Sequence, residues 1–314
     1  MSGSTPIVSV CLITYNHEAY IRQAIDSILM QKTNFAWELI IADDCSKDKT
    51  REIILEYQQH HPQLIKLLFQ KKNVGGGRNF VDLLGQAKGK YTAYLEGDDY
   101  WCDPHKLQKQ FDYLESHPDV SLCYHKIKWV YTYETTEDPN KESNVNDPEV
   151  SDMNDLLSRG WFMRSCSLFY RTISLPKGFE RLYVGDYPLH VLLADKGKIG
   201  FVNECMAVYR INNNGFSETN LINVDVKKVK QNFRSELSVM KYLDYHTGFR
   251  YHLLFRMRIL GTVYSHLHSL RQYGTWEVVS EFWSSIWLVG PINLMRAIFT
   301  KLKFKNPKLE TPVV

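Results

Sequence analysis

Three short apolar runs in the first hundred residues each stop on a polar cluster, and this recurrence limits the possible folds more than any other feature. Ile7-Val8-Ser9-Val10-Cys11-Leu12-Ile13 has strand length and the near-continuous apolar character of a strand covered on both faces, and it ends in Thr14-Tyr15-Asn16. Trp37-Glu38-Leu39-Ile40-Ile41-Ala42 ends in Asp43-Asp44, and Tyr91-Thr92-Ala93-Tyr94-Leu95 ends in Glu96-Gly97-Asp98-Asp99. Leu64–Phe69 reads as one more strand. Between the runs, Ile21, Ala24, Ile25, Ile28 and Leu29 fall at helical spacing, as do Ile53, Ile54 and Tyr57 behind a cap at Ser46 or Asp48. Residues 79–87 suggest a further helix. Repeated strand–helix–strand units predict a parallel sheet with helices on both faces. The three polar clusters then share the edge beyond the strand ends, where such sheets bind ligands.

The chemistry of the clusters suits a nucleotide. A base needs an aromatic surface and an acceptor for its imide N–H, and Tyr15 and Asp44 could supply them. Adjacent aspartates such as Asp98 and Asp99 repel unless a cation or a donor lies between them. Mg2+ or Mn2+ shared with the phosphates of a nucleotide would serve. A helix-capping turn is the plainer reading of either Asp pair. Gly75-Gly76-Gly77-Arg78-Asn79 could bring backbone N–H groups and the Arg78 charge to a phosphate, or be a plain loop before a helix. A dinucleotide fingerprint would follow the first strand as G-x-G-x-x-G, and Thr14–Glu18 contains no glycine, which argues against a dehydrogenase.

Further on, Asp103-Pro104 opens a helix lined by Leu107, Phe111 and Leu114. Val120–Tyr124 and Lys126–Tyr133 read as two strands, residues 134–150 as a polar, acidic loop, and Ser165–Tyr170 as a strand. A helix is entered near Asp186. From about Val224 the chain reads as helices. Its last part mixes Trp276, Trp283 and Trp287 with Arg296, Lys301, Lys303, Lys305 and Lys308, which suits either a helix on an anionic membrane surface or one packed on the catalytic domain. The net charge of +3 over 314 residues does not point to nucleic acid. Six cysteines without a C-x-x-C pair favour free thiols in a reducing compartment. With no signal-peptide core after Met1 and no run of about 20 apolar residues, the expected location is cytoplasmic, with peripheral membrane contact through the C-terminal helices as an option.

Val8-Ser9-Val10 through Thr14-Tyr15-Asn16, Asp43-Asp44-x-Ser46-x-Asp48-x-Thr50, Asn73-x-Gly75 with Asn79, and Glu96-Gly97-Asp98-Asp99 follow one another in an order and spacing that resemble the inverting GT-A glycosyltransferases of family 2. The likeness covers roughly residues 6–215. It implies an α/β GT-A fold, Rossmann-like, with a mostly parallel sheet flanked by helices and a helical C-terminal extension. The expected domains are 1–220, with a nucleotide-sugar half at about 6–102 and an acceptor half at about 103–220, and the extension 221–314. The resemblance also implies a nucleotide-diphospho-sugar donor, with a UDP-sugar favoured, a saccharide or lipid-linked acceptor, and a divalent metal, Mn2+ or Mg2+. Such transfer belongs to cell-surface polysaccharide or glycolipid synthesis. The donor-binding set it implies is Thr14, Tyr15, Asn16, Asp43, Asp44, Arg78 and Asp98. Asp98 and Asp99 would hold the metal, Asp99 most directly, and Asp186 would be the general base. Three positions depart from the family pattern: Glu96 stands where Asp is usual, Gly185 where Glu precedes the base, and Asn212 where a histidine follows Tyr-Arg. A non-catalytic sugar-nucleotide or carbohydrate-binding protein, or a nucleotidyltransferase, are the alternatives; the latter would carry a basic glycine loop after the first strand.

Overall fold

The computed structural model describes residues 5–132, 142–143, 146–182, 185–211 and 226–270. The expectations at 134–141, Asn212 and the basic, aromatic tail past 270 lie outside these residues. Among the described residues nine strands form one sheet: β1 (Val8–Thr14), β2 (Trp37–Asp43), β3 (Ile65–Phe69), β4 (Tyr91–Glu96), β5 (Tyr100–Trp101), β6 (Val120–Tyr131), β7 (Val150–Ser151), β8 (Phe169–Arg171) and β9 (Lys198–Ile211). Their order is β3-β2-β1-β4-β8-β6-β9-β5, with β7 paired to β9. β1 pairs in parallel with both β2 and β4, and β2 with β3. β8 runs antiparallel to β4 and β6, so the sheet is mixed but mostly parallel.

Val8, Val10, Leu12, Leu39, Ile41, Ala93 and Leu95 are fully buried in the central strands. The apolar stripe of α1 (Ile21–Leu29), Ile21, Ala24, Ile25 and Ile28, packs in the same core. α2 (Thr50–His60), α3 (Gly76–Leu84), α4 (Lys106–Ser116), α5 (Met153–Arg159) and α6 (Asp186–Ala194) complete this unit. Chain order 3-2-1-4 reverses direction between β1 and β4, which is the point where open α/β sheets form a crevice.

Four local expectations change. α3 starts at Gly76, three residues early, because Gly75 takes φ +86 and turns the chain directly into the helix. α4 starts at Lys106, because the Asp103 side chain accepts the His105 N–H (2.7 Å) in a turn before it. The two strands expected at 120–133 are one, β6. The irregularity falls in its register with β9, at His125 to Ile127, and is absorbed as a bulge. Ser165–Ser167 is a 3-10 turn, leaving only Phe169–Arg171 as strand.

The chain divides into two compact units, 1–212 and 213–314. In the second, α7 (Val226–His246) and α8 (His252–Leu270) pack on each other. The rings of Phe233 and His266 stack at 4.0 Å, and Thr262 donates to Glu236 (3.0 Å). The chain reverses between these helices through Gly248 and Phe249, both at positive φ.

Candidate active site at the sheet edge

Register alone assembles the edge. Thr14 is opposite Asp43 and Ile13 is opposite Glu96, so the three polar clusters leave the sheet at one level. The Asp44 N–H bonds to Thr14 O (3.1 Å), and the Gly97 N–H to Ile13 O (2.8 Å). Gly97 has to be glycine: a Cβ there would lie 2.7 Å from Thr14 Oγ1 and 2.8 Å from His17 Nδ1.

Several of the expected donor-binding residues build this frame. The Asn16 Oδ1 accepts the Lys47 N–H (2.8 Å), and Asn16 N–H donates to Ser46 Oγ (2.9 Å). Asn16 does this at φ +55, a conformation Asn tolerates well. Asp43 is fully buried and accepts from the Ser46 amide, the Ser46 hydroxyl and Arg51. Asp44, 3% exposed, receives the Val74 and Gly75 amides on its two oxygens (2.7 and 2.9 Å), drawing the glycine loop over β2. Burial leaves its carboxyl above the usual range despite these bonds. Tyr15 is exposed beside this frame. Arg78 pairs with Asp82 one helical turn along (2.9 Å), with Glu180 nearby.

The two aspartates after β4 differ sharply. Asp98 is half-buried, with its Oδ2 4.0 Å from His17 Nε2. Asp99 is 1% exposed. Its Oδ1 accepts the Arg210 amide (2.7 Å), which ties β9 to the motif, and its Oδ2 is buried. The Cys166 thiol lies against this carboxyl. Burial, followed by Asp98 and Glu96, holds Asp99 well above a normal carboxylate pKa. The expectation of Asp99 as the direct metal ligand therefore meets a buried side chain, and Asp98 is the more exposed of the two. Arg210 is a clamp. Its guanidinium lies over the rings of Tyr20 (4.6 Å) and Tyr100 (5.2 Å) and donates to Gln23 Oε1 (2.7 Å) and the Asp98 carbonyl.

Glu96 accepts from Ser165 Oγ (3.0 Å) and is pushed up to about 8 by burial, then by Asp98 and Asp186. That electrostatic contact brings Asp186, the first residue of α6, to the same edge. Asp186 Oδ2 accepts from Trp161 Nε1 (3.1 Å), and its carboxyl is raised by burial. Gly185 stands where the family pattern has Glu, and the Phe80 ring fills the space: a Cβ there would lie 2.9 Å from Phe80 Cδ1. The cation facing Glu96 and Asp186 is Arg164, stacked on Trp129 (4.8 Å) and Tyr209 (5.6 Å). Glu96, Asp98 and Asp186 crowd one edge and each stays partly exposed, and a hard divalent ion held there would rest on one or two of these carboxylates and on ligand phosphates. Among the described residues no three His, Cys, Asp or Glu side chains are grouped so that they could hold a metal ion by themselves.

His17, Trp161 and Arg164 escaped the sequence reading. His17 follows directly on Thr14-Tyr15-Asn16 and only the fold turns it toward Asp98. Trp161 and Arg164 carried a usable signal, an aromatic and a cation in a short loop after Gly160.

Residues 9–172 match the family described as Glycosyl transferase family 2. An uncharacterized protein of Mycobacterium tuberculosis, Rv1520, is 40% identical over 208 residues. The match takes in 65% of this chain and 58% of that protein, so the chain spans little more than half the length of its mycobacterial relative. The putative teichuronic acid biosynthesis glycosyltransferase TuaG of Bacillus subtilis is 29% identical over 222 residues, 69% of this chain and 84% of its own. Among solved structures, the mannosyltransferase PcManGT of Pyrobaculum calidifontis, in complex with GDP-Man and Mn2+, superposes with a TM-score of 0.52 at 14% identity. That superposition covers 96% of this chain and 89% of the other.

Proposed function

The chain belongs to glycosyltransferase family 2 and has the GT-A fold, and from that premise we propose that it transfers a sugar, with inversion, from a nucleotide-diphospho-sugar to an acceptor hydroxyl. The observation that carries this reading is the meeting of Asp186 with the Glu96–Asp99 edge at the β1/β4 crevice. Asp186 takes the proton from the acceptor hydroxyl, whose oxygen attacks the anomeric carbon as the bond to the diphosphate breaks on the opposite face. Trp161 orients the base through its N–H and offers an exposed ring beside it, 43% accessible, against which a sugar can lie. Arg164, held on two aromatic faces, offsets the negative charge of Glu96 and Asp186.

On the donor side, Tyr15 covers the base. Asp44 fixes the glycine loop above β2 and stands as the acceptor for the base's imide N–H. Thr14, Asn16 and Asp43 keep the two loops in register. Arg78, at the start of α3, is the remaining candidate for a phosphate contact, and reaching it means leaving Asp82. Asp98 would hold Mn2+ or Mg2+, with Asp99 behind it as the anchor to β9. The bound ion would offset charge on the departing diphosphate. The Mn2+ bound by PcManGT supports this reading.

The acceptor is a saccharide, free or lipid-linked, and the name of TuaG supports a place in cell-surface polysaccharide synthesis. Cytoplasmic activity at the membrane surface fits that role. No helix among the described residues is long and apolar enough to cross a membrane. At the turn between α7 and α8, Tyr245, Phe249, Leu253 and Met257 are 57–71% exposed at four-residue spacing, close in sequence to Arg250 and Arg256. That composition suits an anionic lipid surface.

The test is a panel of UDP-, GDP- and dTDP-sugars with Mn2+, read as release of the nucleoside diphosphate with and without saccharide acceptors. Turnover of one donor class is expected. Binding of a nucleotide sugar without turnover of any would support the non-catalytic alternative.

A further inference from the structure

In the sequence the six cysteines look unrelated, but the fold brings two of them together. Beyond β5 the chain stays in register with β9: the Cys102 N–H bonds to Met206 O (3.0 Å), and Cys102 Sγ lies 3.7 Å from the carbonyl oxygen of Cys205. In that register Cys102 is opposite Met206, and Cys205 is its diagonal neighbour, the residue before Met206 on β9. The two thiols interact directly, Cys102 on the surface and Cys205 half-buried. Cys11, Cys123 and Cys166 are sealed in the core, and Cys45 sits alone after β2.

Exposure distinguishes the two sulfurs: Cys102 is open to solvent and Cys205 is half-buried. The Cys205 thiol, then the Lys128 ammonium, holds Cys102 below the usual thiol pKa, with Asp103 opposing. Cys102 in turn pushes Cys205 up, as do burial and Glu142. An accessible thiol beside a half-buried one is the arrangement of an oxidisable pair with an attacking and a resolving cysteine.

We propose that Cys102 and Cys205 form a reversible disulfide when the protein meets a hydroperoxide. The Cys102 thiolate attacks one oxygen of hydrogen peroxide, the O–O bond breaks, and the released hydroxide takes up a proton to leave as water. Cys205 then gives up its proton and attacks the sulfur of the Cys102 sulfenic acid. The S–O bond breaks, a second water leaves, and the S–S bond closes. The two thiols supply the two electrons that reduce the peroxide. The cross-link joins the end of β5 to β9, the strand pair that carries Asp99 and its Arg210 anchor.

The test uses the full chain, treated with hydrogen peroxide, alkylated with iodoacetamide and mapped by peptide mass spectrometry. Alkylation of Cys102 and Cys205 should disappear together while Cys45 stays alkylated. A linked Cys102–Cys205 peptide should appear, and dithiothreitol should restore both thiols. In Cys205→Ser, Cys102 should stop at a sulfenic acid that dimedone traps, and in Cys102→Ser, Cys205 should stay reduced. Circular dichroism checks that both variants fold. The proposal is overturned if both thiols alkylate as fully after peroxide as before, or if Cys102 ends as sulfinic acid or joined to another cysteine.

Discussion

Asp98 and Asp99 are neighbours in sequence with opposite surroundings, and this contrast shows what residue types alone could tell. The sequence marked both as wanting a cation. Only the fold shows that one stays partly exposed and the other is buried and holds the Arg210 amide. Gly97 was legible as a turn residue, but its close approach to Thr14 and His17 was not, because those contacts span two strands. Replacing it with alanine should separate the β1 end from the carboxylate turn. A stability loss of about 1–3 kcal/mol by chemical denaturation and weaker nucleotide binding are expected, and unchanged values for both would remove that contact from the account. For Asp186→Asn, transfer should fall by about 100- to 10,000-fold while nucleotide affinity holds. Burial raises the pKa of Asp186, and a base must be deprotonated to act. Transfer in the wild type should therefore decline as pH drops through a midpoint above that of an ordinary aspartate. A residual rate in the variant that keeps the same acid limb would assign the limb to another group.

At the scale of elements, β1 to β4 were readable because each is a short, mostly apolar run, and α1 because its stripe has one period. Boundaries failed where a tertiary contact decides them. Lys32 N–H bonds to Pro104 O (2.8 Å) and Gln31 donates to Asp103 O (2.8 Å), which holds 103–105 outside the helix. α4 then begins with a fully buried lysine. Lys106 Nζ donates to Gln110 Oε1 (2.6 Å) and lies 4.2 Å from the Trp101 ring centre. Burial outweighs these contacts and pushes its pKa down to about 7. Between that value and the ordinary lysine pKa of about 10.4, the unfolded chain carries a proton that the folded chain lacks. Stability should therefore rise with pH from about 7 toward 10. Urea melts across this range should show the rise in the wild type and a flatter profile in Lys106→Met. Identical slopes in the two proteins would mean that the buried amine stays charged.

For the whole molecule, the alternation of strands and helices carried the parallel sheet, and the resemblance of the ordered motifs to family 2 carried the glycosyltransferase fold. The acceptor side was harder to read. Asp186, Trp161 and Arg164 meet Glu96 only through β8, α6 and the loops around them. The α7–α8 turn leads to a prediction for the full chain: it should float with vesicles rich in anionic lipid, and Leu253→Glu with Met257→Glu should weaken that association without altering nucleotide binding. Equal flotation of variant and wild type would move any membrane contact elsewhere. The central claim, a donor site whose metal is held by Asp98 and whose base is Asp186, is tested most directly by calorimetric titration of the nucleoside diphosphate selected in the donor screen, with and without Mn2+. Mn2+ should tighten binding in the wild type, in Asp99→Asn and in Asp186→Asn, and Asp98→Asn should lose that gain. Equal affinity with and without Mn2+ in the wild type, or loss of the gain in Asp99→Asn with Asp98→Asn unaffected, would contradict it.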